Sequence, residues 1–181
     1  MRIAVFMALA LCVIGYASAH GAAASMRLTS SAVAADGRIA ARQSAYGQNL
    51  SPPLAWTSVA GAKVYAIILE DPDAPGARPF VHWLIWNIPG ATTALAEGLA
   101  TSATPRSPGG AVQGANDAGR TGYFGPRPPS GVHHYRFRIF ALDGRLTLGA
   151  GADRAALGRA MNGHVVGIGE LTGTFAAPSA R

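Results

Sequence analysis

The chain of 181 residues contains one cysteine, Cys12, and one lysine, Lys63. Cys12 lies in an N-terminal run expected to be removed, so the remaining chain carries no thiol. That excludes a disulfide framework and a cysteine-bound zinc. Acidic charge is also scarce, with nine Asp and Glu against fifteen Lys and Arg. A basic balance raises nucleic acid or anionic lipid as partners. The arginines, however, are scattered from Arg27 to Arg181, without a basic run or an aromatic-interleaved stripe. Most therefore belong to solvated surface, and no nucleic-acid partner is expected. Long apolar runs are missing beyond the N-terminus, where no stretch approaches the roughly 20 residues a spanning helix needs.

What is present begins with an export signal. Arg2 precedes an apolar run from Ile3 to Ala17, and Ala17-Ser18-Ala19 supplies a small-x-small cleavage pattern. Residues 1–19 are thus expected to be a signal peptide, cleaved before His20, with the mature protein periplasmic or secreted. An uncleaved anchor is the alternative, but a run of about fifteen residues is short for it. A lipid tether on Cys12 is rejected because Leu11 stands where such signals need a small side chain. Residues 20–181 then form one domain, large enough for a core without staples. Loss of Arg2 leaves fourteen cations against nine anions, a net charge of +5.

Turn chemistry recurs along this domain, at Asp36-Gly37, Gly61, Pro72 to Gly76, Pro89-Gly90, Gly109-Gly110, Pro126 to Gly131 and Asp143-Gly144. Between the turns lie runs with strand character. Lys63 to Leu69 is β-branched, aromatic and apolar, and Phe80 to Ile88 is apolar on both faces, which predicts a central strand. In Tyr135 to Leu142, Tyr135, Phe137, Ile139 and Ala141 share one face, while His134, Arg136 and Arg138 take the other. Asp153 is a good N-cap for a helix bearing Leu157, Ala160, Met161 and His164 at helical spacing, and Gly163 suits its end. Val165 to Phe175 is predicted as a final strand, and a second short helix is expected near Thr93 to Glu97. The fold expected is mainly β, with two packed sheets and one or two peripheral helices. The glycine-rich stretch from Gly98 to Gly122 is expected to frame a pocket mouth.

Two constellations could carry chemistry. Glu70-Asp71-Pro72-Asp73-Ala74-Pro75 follows a buried strand and holds three of the nine acids within four residues. By itself such a cluster is a solvated acidic turn. The second, Gly125-Pro126-Arg127-Pro128-Pro129-Ser130-Gly131-Val132-His133-His134-Tyr135, leads into a strand. Parity sends His133 inward with Tyr135 and Phe137, and His134 outward with Arg136. The bland alternative for His133, and for His82 before Trp83, is a satisfied core histidine.

Four segments in order resemble the bacterial branch of the phosphatidylethanolamine-binding, or Raf-kinase-inhibitor-like, family. They are Asn49-Leu50-Ser51-Pro52-Pro53-Leu54-Ala55-Trp56, Asp71-Pro72-Asp73-Ala74-Pro75, His82-Trp83 with Asn87-Ile88-Pro89, and Gly125-Pro126-x-Pro128-Pro129-x-Gly131-x-His133-x-Tyr135. Asn116, Gly119, Gly122 and Tyr123 also fit, and the resemblance spans about Met26 to Phe175. It implies a β-sandwich with a small pocket for phosphate, phosphoethanolamine or a similar anion. By matching position, the ligand-binding residues would be Asp71, Asp73, His82 and His133, beside Tyr135 and the wall from Gly125 to Pro129. The chain departs from the pattern at Arg127, where bacterial members often have cysteine, and at His134, where they often have arginine. Ala40 also replaces a proline that frequently follows the residue matching Ile39.

Carboxylates beside an anion site make sense as partners that orient the imidazoles and favour their charged form. A charged His133 or His82 would then donate to the anion, helped by backbone N–H groups of the glycine-proline loop, each charge-assisted bond contributing about 1.5–3 kcal/mol. Binding is therefore expected to weaken as pH rises. The expected partner is a small anionic ligand such as a phospholipid head group, with no cofactor and no metal. Two rival classes remain. A hydrolase using the Asp/His cluster lacks a G-x-S-x-G elbow, an H-E-x-x-H pair and a phosphate-cradling G-x-x-x-x-G-K loop, so catalysis is not expected. An inhibitor of an envelope protein, such as a protease, is the other alternative.

Overall fold

The computed structural model describes residues 22–178, so the expected signal peptide, its cleavage site and Cys12 lie outside the described residues. The described residues form eight strands: β1 (Ala24–Thr29), β2 (Leu54–Trp56), β3 (Val64–Asp71), β4 (Phe80–Pro89), β5 (Ala94–Leu95), β6 (Val112–Gln113), β7 (Val132–Leu142) and β8 (Val165–Ala176). One helix, α1 (Arg154–Met161), and one 3-10 turn (Ala41–Gln43) accompany them. The strands hydrogen-bond in the order β5-β2-β1-β8-β7-β3-β4-β6. Only β1 and β8 pair in parallel.

The fold is mainly β, as expected, but the two packed sheets prove to be one continuous ladder that curls over itself. Trp56 of β2 meets Tyr65 of β3 edge-on at 5.4 Å between ring centroids. Three strands separate β2 from β3 in the ladder, so the contact requires the β2 end to fold across the β3 face. The inner core joins Met26, Leu28, Leu54 and Trp56 to Tyr65, Ile67, Trp83 and Phe137. On the opposite face Val64, Ala66, Ile68, Leu84 and Trp86 pack under Leu157 and Met161 of α1. Both faces of β3 and β4 are therefore covered, which is why Val64 to Leu69 and Trp83 to Trp86 are apolar without a break.

The helix begins as the sequence predicts, with the Asp153 carboxylate accepting from the Ala156 N–H at 2.7 Å. Gly163 takes a φ of 80° just beyond the Asn162 cap, a conformation that favours glycine. His164 falls outside the helix and pairs with Asp143. The second helix expected near Thr93 to Glu97 is absent: that segment is β5, where Ala94 and Leu95 pair with Ala55 and Leu54 of β2. Tertiary burial of Leu95 in the inner core overrides a weak local preference.

A β-bulge places the first site residue. Leu69 pairs with Trp83, but Glu70 pairs with Val81, which leaves His82 as an extra residue on β4. Val81 and Leu84 lie in the outer core and Trp83 in the inner one. Strict alternation would send His82 outward with Leu84. Instead its ring meets Tyr135 of the inner core edge-on at 5.2 Å, the re-aiming that bulges produce.

Candidate functional site

At the end of the ladder where β3 stops and β7 starts, a cavity of about 440 Å³ opens. Its walls include Asp71, His82, Asp117, Arg120, Phe124, Arg127, Pro129 and His133. Asp71 ends β3 and His133 lies near the start of β7. Although 62 positions apart, they meet through His133 Nδ1 and Asp71 Oδ2 at 2.8 Å. The other Asp71 oxygen accepts the Asp73 N–H at 2.9 Å, closing the turn after β3. A carboxylate accepts only, so Nδ1 of His133 carries the hydrogen. The Asp–His pairing inferred from the sequence is therefore present at this site.

His82 is held differently. It is 3% exposed, and its Nδ1–H donates to the Phe124 carbonyl at 2.7 Å. The ring stacks on Phe124 at 5.6 Å with 9° between planes, and Phe80 packs against it at 4.8 Å. Burial pushes its pKa below 6.5, against the Phe124 carbonyl and the charges of Asp71 and Asp117, which favour protonation. This corrects the expectation of a charged His82 held by a carboxylate. In the neutral form Nδ1 is the donor, which makes Nε2 an acceptor.

The wall from Gly125 to Pro129 is fastened to the segment around residues 43–49. Asn49, at a φ of 56°, accepts the Gly125 N–H at 2.7 Å, and the Ala45 N–H donates to Pro126. Gly125 has no room for a side chain, because a Cβ there would collide with the Gln43 carbonyl oxygen. Tyr46 donates its hydroxyl to the Pro128 carbonyl at 2.8 Å, and the Arg127 guanidinium sits over its ring at 5.9 Å. The Asn49 and Gly125 motifs thus share one structural task, holding the pocket wall.

Other predicted residues are displaced from the cavity. Asp73 lies at the surface, where its carboxylate accepts from both the backbone and the Nδ1 of outward-facing His134. Those two bonds, the backbone one foremost, hold its pKa below 3.8. Gly125 and Tyr135 sit behind the cavity surface rather than on it. The Tyr135 hydroxyl is buried without a well-formed hydrogen bond. Burial, followed by the nearby Asp71 charge, pushes its pKa up.

Residues that sequence reasoning passed over complete the walls: Phe80, Phe124, Asp117 and Arg120. The signals that pointed to this turn are Asn116, Gly119, Gly122 and Tyr123 of the family pattern and the glycine-rich stretch from Gly98 to Gly122 that contains it. The Asn116 side chain accepts from Ala118 and Arg120 N–H and donates to the Gly122 carbonyl. Asp117 takes both Arg78 nitrogens, at 2.6 and 2.9 Å, and the Val81 N–H at 2.7 Å. Burial works to raise its pKa, but these bonds together hold it below 3.8. The stretch from 98 to 122 is thus divided. Its later part walls the histidine cavity, while residues 98–109 line a separate cleft of about 770 Å³. That cleft is larger but contains no histidine, and its one carboxylate, Glu97, is engaged by Gln43 and Arg42.

Comparison with known proteins agrees with this architecture. Residues 29–176 match the family model described as phosphatidylethanolamine-binding protein. The chain is 49% identical over 140 residues to a UPF0098 protein of Methanothermobacter thermautotrophicus, covering 77% of this chain and 91% of that one. It is 40% identical over 131 residues to LppC of Mycobacterium tuberculosis, which carries a lipoprotein name, covering 71% and 61% respectively. Among solved structures, the phosphatidylethanolamine-binding protein homologue CT736 of Chlamydia trachomatis superposes with a TM-score of 0.76 at 35% identity, over 85% of this chain and 99% of CT736. YbcL of Escherichia coli, described as a member of the mammalian family, gives 0.78 at 30% identity, over 84% and 99%. The bulge-mounted His82, the Asp71–His133 pair and the pinned proline wall therefore stand on the scaffold of a known group, and this chain belongs to the phosphatidylethanolamine-binding protein family.

Proposed function

We propose that the cavity binds a small oxyanion, either phosphate or the phosphate of a head group, in a protein exported from the cytoplasm. The observation that carries this reading is the charge balance of the walls. Both wall carboxylates are already engaged, Asp71 by His133 and Asp117 by Arg78. Arg120 and Arg127 have no carboxylate partner among the described residues. Counting Arg78 beside Asp117, three guanidinium charges stand against the carboxylates of Asp71 and Asp117, a positive balance that does not depend on either histidine. Guanidinium forks, joined by the Nε2–H that an imidazole gains on protonation, are the donors that oxyanions require.

Two or three charge-assisted bonds at about 1.5–3 kcal/mol each, less the entropy of association, support affinity on the order of micromolar to millimolar. The site holds its ligand without turning it over, so p-nitrophenyl phosphate should not be hydrolysed above background. Export fits the N-terminal sequence and the lipoprotein name of the mycobacterial relative. No helix among the described residues is long and apolar enough to cross a membrane.

The decisive experiment is titration of the purified protein with inorganic phosphate, followed through histidine NMR signals, on wild type and His133→Ala. Saturable shifts in wild type that vanish in the variant are expected. Unmoved histidine signals at millimolar phosphate would refute the reading.

A further inference from the structure

We infer that a second site, for a sulfate or phosphate group, lies outside the histidine cavity, in the groove between α1 and the outer face of β7. It shares no residue with that cavity and does not depend on the reading above. The groove has a volume of about 470 Å³, and its walls include Arg138, Phe140, Arg154, Gly158, Arg159 and Asn162. Two of its guanidinium groups are fixed by one buried carboxylate. Glu70 is 8% exposed; Arg138 Nη2 donates to one of its oxygens, and Arg154 Nε to the other at 2.8 Å. The Arg138 guanidinium carbon also stands 5.9 Å from the centre of the Phe140 ring. Arg154 runs back along the helix to Gly158, where an added Cβ would lie only 2.9 Å from Nη1. Glycine weakens a helix interior relative to alanine, and here it leaves room for that nitrogen. Both guanidinium groups are thus located by contacts with residues of the groove itself.

Their donor capacity is largely unused. Arg154 keeps Nη1 and Nη2, and Arg138 keeps Nη1, without an acceptor among the described residues. Arg159 has no carboxylate partner there either. Three cations therefore border the groove against the one Glu70 carboxylate. Adding Asp153, which caps α1 through the Ala156 N–H, leaves the balance positive. Glu170 on the neighbouring strand faces Arg136 at 3.4 Å, so that pair cancels. The free Nη1–Nη2 edge of Arg154 matches two oxygens of a tetrahedral anion. Because Arg138 and Arg154 are only 26% and 32% exposed, solvent screens that attraction less than on an open surface.

The test titrates isotope-labelled protein with sulfate, inorganic phosphate and glycerol phosphate at constant ionic strength. NMR follows the arginine Nε–H signals, the amides of Gly158 to Asn162 and the histidines together. Saturable shifts of the Arg154 Nε–H and the helix amides are expected, with a midpoint on the order of millimolar, and they should persist in His133→Ala. Arg159→Gln changes an exposed residue and should weaken the response roughly three- to tenfold. Arg154→Lys keeps the charge but loses the fork, and should weaken it as well. Glycerol phosphate binding with the free ions, or the free ions binding alone, each supports the site and names its source. Shifts that rise without saturating, that vanish in His133→Ala, or that keep the wild-type midpoint in both arginine variants would overturn it. Unmoved histidines beside saturable helix shifts would refute the cavity reading and leave this site standing, and the converse would remove this site alone.

Discussion

Acidification from pH 7.5 to 5.5 should destabilise this protein through one buried imidazole, His82. Its ring is enclosed by Phe80, Phe124 and Tyr135, with a single hydrogen bond to the Phe124 carbonyl. Burial lowers its folded pKa below the 6.5 of an unfolded chain. Between those two values the unfolded state holds the extra proton, so stability rises with pH there and is lost as pH falls. The effect is absent well above pH 6.5 and saturates at the folded pKa. One proton gives a limiting slope of about 1.4 kcal/mol per pH unit, and up to about 1.4 kcal/mol between pH 7.5 and 5.5. For a chain of this size that corresponds to a fall in Tm of roughly 3–6 °C. Asp73 and Asp117 do not contribute in this window. Their pKa values are held below 3.8, so what they add is present above that value and lost only at lower pH. Urea unfolding at three pH values on wild type and His82→Gln isolates the imidazole, because the comparison is between slopes rather than absolute stabilities. The variant should show a flatter profile. An unchanged slope would place the proton elsewhere and refute the assignment of a neutral His82. Sulfate, whose charge is constant over this range, should bind more tightly at pH 5.5 than at 7.5 if the anion engages this ring.

Three further outcomes follow from particular contacts. Glu70→Gln leaves Arg138 and Arg154 without their shared carboxylate. Breaking a buried pair costs about 3–5 kcal/mol, but these arginines are 26% and 32% exposed. Solvent screening reduces the expected loss to about 2 kcal/mol, read as a lower urea midpoint, and an unchanged midpoint would count against the triad. Gly125→Ala forces the proline wall away from Gln43 and Ser44. It should cost roughly 1–3 kcal/mol and weaken phosphate binding in the same titration, whereas wild-type affinity would show that the wall's position is immaterial. Tyr135→Phe removes a buried hydroxyl that lacks a well-formed hydrogen bond. Its Tm should equal or exceed that of wild type, and a clear fall would reveal a partner for that hydroxyl.

Much of the molecule was legible in residue order because the relevant forces are local. Uninterrupted apolar runs marked β3 and β4 as strands covered on both faces, and the alternation in β7 sent His133 inward and His134 outward. The Asp153 cap and the glycine at 163 bounded α1 for reasons confined to a few residues. Motifs in fixed order carried the family, and with it a set of candidate residues. What residue order could not decide depends on pairing between distant segments. The bulge that turns His82 into the cavity arises from the register between β3 and β4, and alternation alone points that ring the wrong way. Similar sequence context gave Asp71 and Asp73 the same expected role. The turn that follows β3 parts them, leaving Asp71 on His133 in the interior and carrying Asp73 to His134 at the surface. Phe124 and Asp117 enter the site only because the chain between β6 and β7 folds back across the end of β4. Whether an imidazole is charged, and whether a carboxylate is free, are sums over neighbours far apart in sequence, so only the tertiary structure could settle them.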